Sequence, residues 1–267
     1  MKRVILITGA SSGLGRATAK FLAEQGNTVY GTSRKSKNGD KLDNFTLLNL
    51  DLVDSSSIQT ALDYLLEKES KLDVLINNGG IGINGPMECL SLEEINLVFK
   101  TNVFGLMECC RLAIPLLRKG TLPTIINISS IAGEMGLPYR GAYSSSKFAV
   151  EGYSESLSME LKPFGIRVCL VQPGDFATSI NDNRMVAKSV DLKLYPDFYR
   201  MNERVKEEVN SSWSPELMGK YILRLIHSKN PPLRKRVAPF LARFSIFLRR
   251  ILPGRWYEQL LMKFYKV

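Results

Sequence analysis

The stretch VILITGASSGLG, Val4 to Gly15, decides the fold. It opens as an unbroken apolar run ending on Thr8 and continues with Gly9, Gly13 and Gly15 set among Ala10, Ser11, Ser12 and Leu14. Continuous Val, Ile and Leu without alternation suits a strand covered on both faces. The glycines let the chain turn tightly and bring its backbone close to a pyrophosphate. A helix beginning there adds unpaired N–H groups and a positive dipole end. Glycine spacing alone also fits a plain tight turn; its place after the first strand and before a helix points to a phosphate-binding loop.

Similar apolar runs recur at Thr28–Thr32, Phe45–Asn49, Val74–Asn77, Thr124–Ile128 and Arg167–Gln172. Helical spacing fills the intervals Ala17–Gln25, Ser57–Lys68, Leu92–Arg118, Ala142–Phe164 and Pro215–His227. Strands alternating with helices predict an α/β fold, a single Rossmann-type doubly wound parallel sheet with helices on both faces. The 267 residues fit one such domain. Residues 1–230 read as its dinucleotide-binding and catalytic part, with 175–213 a substrate-covering insertion and 231–267 a basic C-terminal extension.

With 45% apolar and 23% charged residues, the composition excludes wholesale disorder. Cys89, Cys109, Cys110 and Cys169 lack zinc-site spacing and disulfide-scaffold density, so reduced, buried thiols are expected. The apolar run after Met1 is too short for a signal peptide, and no stretch reaches the ~18 apolar residues that span a bilayer. A cytoplasmic protein with at most peripheral membrane contact is the expectation.

A dinucleotide site usually continues, after its second strand, with an acid for the ribose hydroxyls or a basic residue for a 2′-phosphate. Here that strand ends Thr32-Ser33-Arg34-Lys35. The absent carboxylate and the planar fork of Arg34 predict NADP. The alternatives are an NAD-dependent enzyme, with Arg34 and Lys35 in a solvated loop.

Farther on, YSSSK places Tyr143 and Lys147 four residues apart, on one face of a helix. A phenol in water ionises near pH ~10, and a neighbouring ammonium favours the phenolate, so the pair suits acid–base work. Alone, the spacing fits a surface helix pair equally well. It is accompanied by INISS, which sets Ser130 at the end of the preceding strand.

Together with Asp51-Leu52, Asn77-Asn78-Gly79-Gly80, Asn102 and Pro173-Gly174, these motifs resemble the short-chain dehydrogenase/reductase family, hydroxysteroid and retinol dehydrogenases among them, from Lys2 to about Thr178. The resemblance implies hydride transfer between a nicotinamide cofactor and a ketone or secondary alcohol, with no metal. Tyr143 would give its proton to the carbonyl oxygen and Ser130 would hydrogen-bond the same oxygen. Lys147 would favour the ionised phenol and hold the nicotinamide ribose, and Asn102 would anchor a water joining Lys147 to solvent. Gly9, Gly13 and Gly15, with Ser11, Ser12 and Leu14, match the phosphate loop. Asp51 with Leu52 matches the adenine contact, Asn77 a cofactor-facing turn, and Thr178 after Pro173-Gly174 the carboxamide contact. Gly79 stands where the family usually has alanine, a change expected to loosen that turn.

His227, the single histidine, lies far from these motifs. The net charge of +10 is concentrated at the C-terminus, where Pro231–Val267 holds nine basic residues and one acid. On a helix, Val237, Phe240, Phe244, Phe247, Leu248 and Ile251 gather into one arc edged by Arg236, Arg243 and Arg250. That arc either packs on the domain with the arginines solvated, or meets anionic lipid alongside Trp256, Phe264 and Tyr265; nucleic acid is not the expected partner. A lipid contact would suit a steroid-, retinoid- or fatty-chain-like substrate. The resemblance further implies a homodimer or homotetramer through the two long helices. A non-catalytic NADP-binding regulator would lack part of the Asn102–Ser130–Tyr143–Lys147 set, which is complete here.

Overall fold

Strands made of uninterrupted Val, Ile and Leu must be covered on both sides, and the architecture follows from that. The computed structural model describes residues 2–174, 176, 184–203 and 213–267. In it the apolar runs form β1 (Val4–Ile7), β2 (Thr28–Ser33), β4 (Phe45–Asn49), β5 (Val74–Asn77), β7 (Thr124–Ile128) and β8 (Arg167–Pro173). With β3 (Asp40–Leu42) and β10 (Arg234–Val237) they make an eight-stranded sheet in the order β10-β8-β7-β5-β1-β2-β4-β3. Only β3 runs antiparallel to its neighbour. β6 (Ile83–Asn84) and β9 (Met185–Val186) pair separately.

Alternate residues of each strand serve opposite layers. Ile5 and Ile7 pack with Leu22 of α1 (Gly13–Glu24) and with Met218 and Ile222 of α6 (Glu216–His227). Leu6 and Leu75 face the other layer: Leu62 of α2 (Ser55–Glu69), Leu117 of α4 (Gly105–Leu117) and Leu157 of α5 (Gly141–Leu161). The chain winds one way from β1 to β2 and the other way from β1 to β5, which opens a crevice at the C-terminal ends of β1 and β5.

Three features depart from the sequence reading. The helix expected over Leu92–Arg118 is interrupted: α3 (Leu92–Phe99) passes through a π turn, Lys100–Phe104, before α4. Arg234–Val237, within the stretch read as a C-terminal extension, is an edge strand of the sheet in parallel register with Leu170–Pro173. Its charges are answered from other parts of the fold, Arg234 by Glu151 and Glu155, Arg236 by Glu134.

The third departure concerns the helices α7 (Phe240–Ile251) and α8 (Gly254–Tyr265). On α7 the expected apolar arc, Leu248 excepted, does not face the domain. Val237 is buried in β10, but Phe240, Phe244, Phe247 and Ile251 are exposed, and α7 packs instead through Ile246, with Ala242 and Leu248 partly buried. No described helix is long and apolar enough to cross a membrane. Cys109, Cys110 and Cys169 are buried free thiols and Cys89 is half-buried; burial pushes the Cys169 thiol up to about 11.

At the N-terminal edge of the sheet, the fully buried Asp73 carboxylate accepts the Val4 N–H at 2.8 Å and the Thr121 N–H at 2.6 Å. Asp73→Ala would strip two backbone donors of their acceptor, at about 1–3 kcal/mol each. Urea unfolding of this variant should therefore show a loss of about 3 kcal/mol. Nucleotide affinity of the folded protein should be unchanged, because the crevice lies at the opposite ends of the strands.

Candidate active site

The glycine loop after β1 and the turn after β5 are locked to one another. The Thr8 hydroxyl accepts the backbone N–H groups of Asn78 and Gly79 at 3.0 and 2.9 Å. The Asn78 amide donates back to the carbonyls of Thr8 and Gly9 at 2.9 and 3.1 Å. Gly9 has φ +66°, and a Cβ there would lie 2.8 Å from the Gly79 Cα, so the two backbones touch where no side chain fits. A Cβ on Gly15 would collide with the Gly9 carbonyl oxygen. α1 begins at Gly13 with no side-chain cap and no acid in its first turn, while Ser11 and Ser12 are exposed and Leu14 packs into the core. Those uncapped amides and the flat glycine surface fit a pyrophosphate.

Along the crevice, Arg34 is exposed directly after β2 and Asp51 is half-buried after β4, its side chain accepting the Val53 N–H at 3.1 Å. Leu52 accounts for the unusual glycine: a Cβ on Gly79 would lie 2.6 Å from Leu52 Cδ1. The space of the missing methyl is filled, so the turn is not loosened as expected. Asn77 is buried and donates to Asn127 Oδ1 at 2.8 Å, tying β5 to β7. The side chain that reaches the glycine loop is that of Asn78, to which sequence reasoning gave no role. Pro173 and Gly174 close β8, with the Gly174 N–H bonded to the Val237 carbonyl at 3.0 Å. Thr178 lies outside the described residues.

α5 carries Tyr143 and Lys147, two of the four expected catalytic residues. Its Lys147 is buried, with Nζ 5.9 Å from the centre of the half-buried Tyr143 ring and donating to the Ile128 carbonyl at 2.9 Å. One of its three donors is thus used at the end of β7, and the other two are left for a phenol or a ribose. Ser130 follows directly on Ile128 and Ser129, its hydroxyl accepting the Ala132 N–H at 3.1 Å. The serine loop lies hard against α5: a Cβ on Gly133 would sit 2.7 Å from Ser129 Oγ and 3.1 Å from the Lys147 carbonyl. Asn102, on the π turn, donates to the Ile81 carbonyl at 2.9 Å and accepts the Ile81 N–H at 2.8 Å. It also donates to the Ser146 hydroxyl at 3.1 Å. Widening the helix by one residue is what turns this side chain inward, a use of π turns common at functional sites. Tyr143, Lys147, Ser130 and Asn102, spread over 46 positions of sequence, therefore share one end of the sheet.

Tyr143 borders an apolar wall that includes Met135, Leu137, Met201, Ile246 and Tyr257. This wall joins the serine loop to α7 and α8, and a carboxylate clamps the junction. Glu134 takes a bidentate pair from Arg236 at 2.8 and 2.8 Å and a third bond from Arg250 at 3.1 Å. Burial raises the affinity of Glu134 for its proton, but bonding and charge from Arg236 and then Arg250 outweigh it and hold the carboxyl below its ordinary value of 4.5. His227 is exposed at the end of α6, away from these groups.

Comparison with known proteins agrees with this fold. The profile of the family described as short chain dehydrogenase matches residues 3–188. The chain is 42% identical to 3-ketodihydrosphingosine reductase from Bacteroides thetaiotaomicron, covering 99% of this chain and 98% of that protein. It is 32% identical to retinol dehydrogenase 8 of Bos taurus over 88% of this chain and 81% of that one. Among solved structures, a short-chain dehydrogenase from Streptomyces avermitilis superposes with TM-score 0.80 at 29% identity, covering 98% and 96% of the two chains.

Two experiments test these contacts. Gly79→Ala should weaken nucleotide binding only slightly, and Leu52→Ala should cancel that effect in the double variant; a double-mutant cycle on nucleotide affinity reads the coupling. Because the Glu134 carboxyl is held down in the folded state, its contribution to stability is complete above 4.5 and disappears as pH falls through the lower folded value. The difference in urea midpoint between the parent and Glu134→Gln should be constant at neutral pH and shrink on acidification.

Proposed function

This chain belongs to the short-chain dehydrogenase family, and from that premise we propose that it transfers a hydride between NADP(H) and a ketone or secondary alcohol on a lipophilic molecule, a long-chain 3-ketone first among them. That it is an oxidoreductase of the short-chain dehydrogenase type rests on the family profile and on the full-length relatives. The observation carrying the finer reading is Tyr143 on α5, with Lys147 one turn on, the Ser130 loop against the same helix and an apolar wall at its side.

When bound, the nicotinamide supplies the hydride in reduction and accepts it in oxidation. The protein's part is alignment and charge. In reduction the Tyr143 hydroxyl passes its proton to the carbonyl oxygen as the carbonyl carbon gains the hydride, and the Ser130 hydroxyl donates a hydrogen bond to that oxygen. The Lys147 ammonium, fixed by the Ile128 carbonyl, stands beside the ring whose oxygen is left negative. Asn102 pins Ile81 and Ser146 and so fixes the turn in front of Lys147, where a Cβ on Gly80 would lie 3.0 Å from Asn102 Oδ1 and 3.9 Å from Lys147 Nζ. Gly9, Gly13 and Gly15 would hold the pyrophosphate against α1, and Arg34 would hold the 2′-phosphate, which favours NADP.

The apolar wall and the 42% identity to a 3-ketodihydrosphingosine reductase support a long-chain ketone. The exposed apolar side chains Leu97, Phe104 and Met159 on the α3–α4 stretch and α5 support a homo-oligomer through those helices.

With NADPH absorbance followed on 3-ketodihydrosphingosine, Tyr143→Phe should fold, bind NADP and lose turnover by roughly 10²–10⁴-fold. Retention of most of the rate would remove the phenol from the mechanism. Arg34→Ala should weaken NADP by roughly 10–100-fold and leave NAD affinity unaltered; equal affinity of the parent for both nucleotides would contradict the assignment to NADP.

A further inference from the structure

The C-terminal pair of helices has two apolar faces, and the fold uses only one. Ile246 of α7 and Tyr257, Leu261 and Tyr265 of α8 are buried in the wall beside Tyr143. On the opposite side of α7, Phe240 is 79% exposed, Phe244 41%, Phe247 54% and Ile251 59%. At 100° per residue these four fall within an arc of about 60°. The rings of Phe240, Phe244 and Phe247 stack in sequence, with centres 5.8 and 6.2 Å apart and planes inclined by 11 and 28°. A continuous aromatic ridge of this kind in water is an unfavourable surface that calls for an occupant.

The surroundings of the ridge decide which occupant. Arg243 and Arg250 border it on one side of α7, and Arg249, over the Phe148 ring at 5.2 Å, stands farther round the helix. Among the described residues Arg243 has no carboxylate partner, while Arg250, 63% exposed, is paired only with Glu134. Along α7 and α8 the sole acid is Glu258, already paired with Arg255 at 2.8 Å. Trp256, at 66% exposure, adds an amphipathic ring near the junction of the two helices. A second copy docked on this ridge by a two-fold axis would bring these arginines against their own duplicates. An anionic bilayer meets both demands at once, with rings at the acyl boundary and guanidinium groups at the phosphates.

We propose that α7 is a docking surface for an anionic phospholipid bilayer, on which the protein sits with the Phe240–Phe244–Phe247 ridge in the interface and Arg243 at the headgroups. The docking rests on the exposed ridge and its charge and does not require the substrate reading. Joined to that reading, it places the inner face of the same helix, and with it the wall beside Tyr143, next to the source of a long-chain ketone.

Sedimentation of the full-length protein, without nucleotide or substrate, with phosphatidylcholine vesicles containing phosphatidylglycerol tests the docking apart from the chemistry. Binding is expected to anionic vesicles, to weaken with salt, and to be far weaker on phosphatidylcholine alone. It should fall by roughly tenfold or more in the Phe240→Ser, Phe244→Ser, Phe247→Ser triple variant, and also in Arg243→Glu, which leaves the ridge intact. Turnover of the triple variant on a short, water-soluble ketone should match the parent. Failure of the parent to bind anionic vesicles would overturn the proposal, as would undiminished binding by both variants. So would light scattering that shows the parent to be an oligomer which the triple variant dissolves, since a second copy would then own the ridge.

Discussion

Two backbones touching at the centre of the sheet set the terms for the rest of the site. The loop after β1 can lie against the turn after β5 only because Gly9 takes a left-handed φ and has no Cβ, which would lie 2.8 Å from the Gly79 Cα. The Thr8 hydroxyl and the Asn78 amide fasten that contact with four hydrogen bonds. The contact sits at the point where the winding reverses, so it defines both the flat floor of the nucleotide crevice and the depth at which the next residues emerge. Gly80 and Ile81 then run directly past Asn102 and Lys147. The proposed acid–base groups are thereby placed relative to the glycine loop through backbone, with little side-chain freedom between them.

The second organising contact is electrostatic and reaches across the chain. Glu134, four residues beyond Ser130, holds Arg236 of β10 and Arg250 of α7. One carboxylate therefore ties the serine loop to the last strand and to the C-terminal helices. Both C-terminal helices help build the wall beside Tyr143, α7 through Ile246 and α8 through Tyr257. A helix with one face at the proposed reacting phenol and the other toward solvent is well placed to connect the proposed membrane surface with the site beside Tyr143.

Most of the sheet was legible in the sequence because its strands are covered on both faces, which demands long apolar runs. The strand Arg234–Val237 was not: three of its four residues are cations, and it is tolerated at the sheet edge because Glu151, Glu155 and Glu134 lie beside it, partners drawn from up to 102 positions away. The positions of Tyr143, Lys147 and Ser130 followed from motif spacing. The parts played by Asn78 and Thr8 did not, although each stands directly at the end of one of two adjacent parallel strands, a correspondence that could have marked them. The packing at Gly79 was not legible, because the space it leaves is filled by Leu52, a contact between loops that spacing along the chain does not reveal. For α7, periodicity found the apolar arc but not its direction; a helix with apolar residues on two sides has no single inward face in its sequence.

In the proposed reaction one phenol, one ammonium and one nicotinamide converge on a single C–O bond. A crystal structure of the protein with NADP and a long-chain ketone analogue tests it most directly. The Tyr143 hydroxyl is expected within about 3 Å of the carbonyl oxygen and the nicotinamide C4 about 3–3.5 Å from the carbonyl carbon. A Tyr143 hydroxyl turned away from the bound ligand, or a ligand carbonyl held out of reach of the nicotinamide, would contradict it.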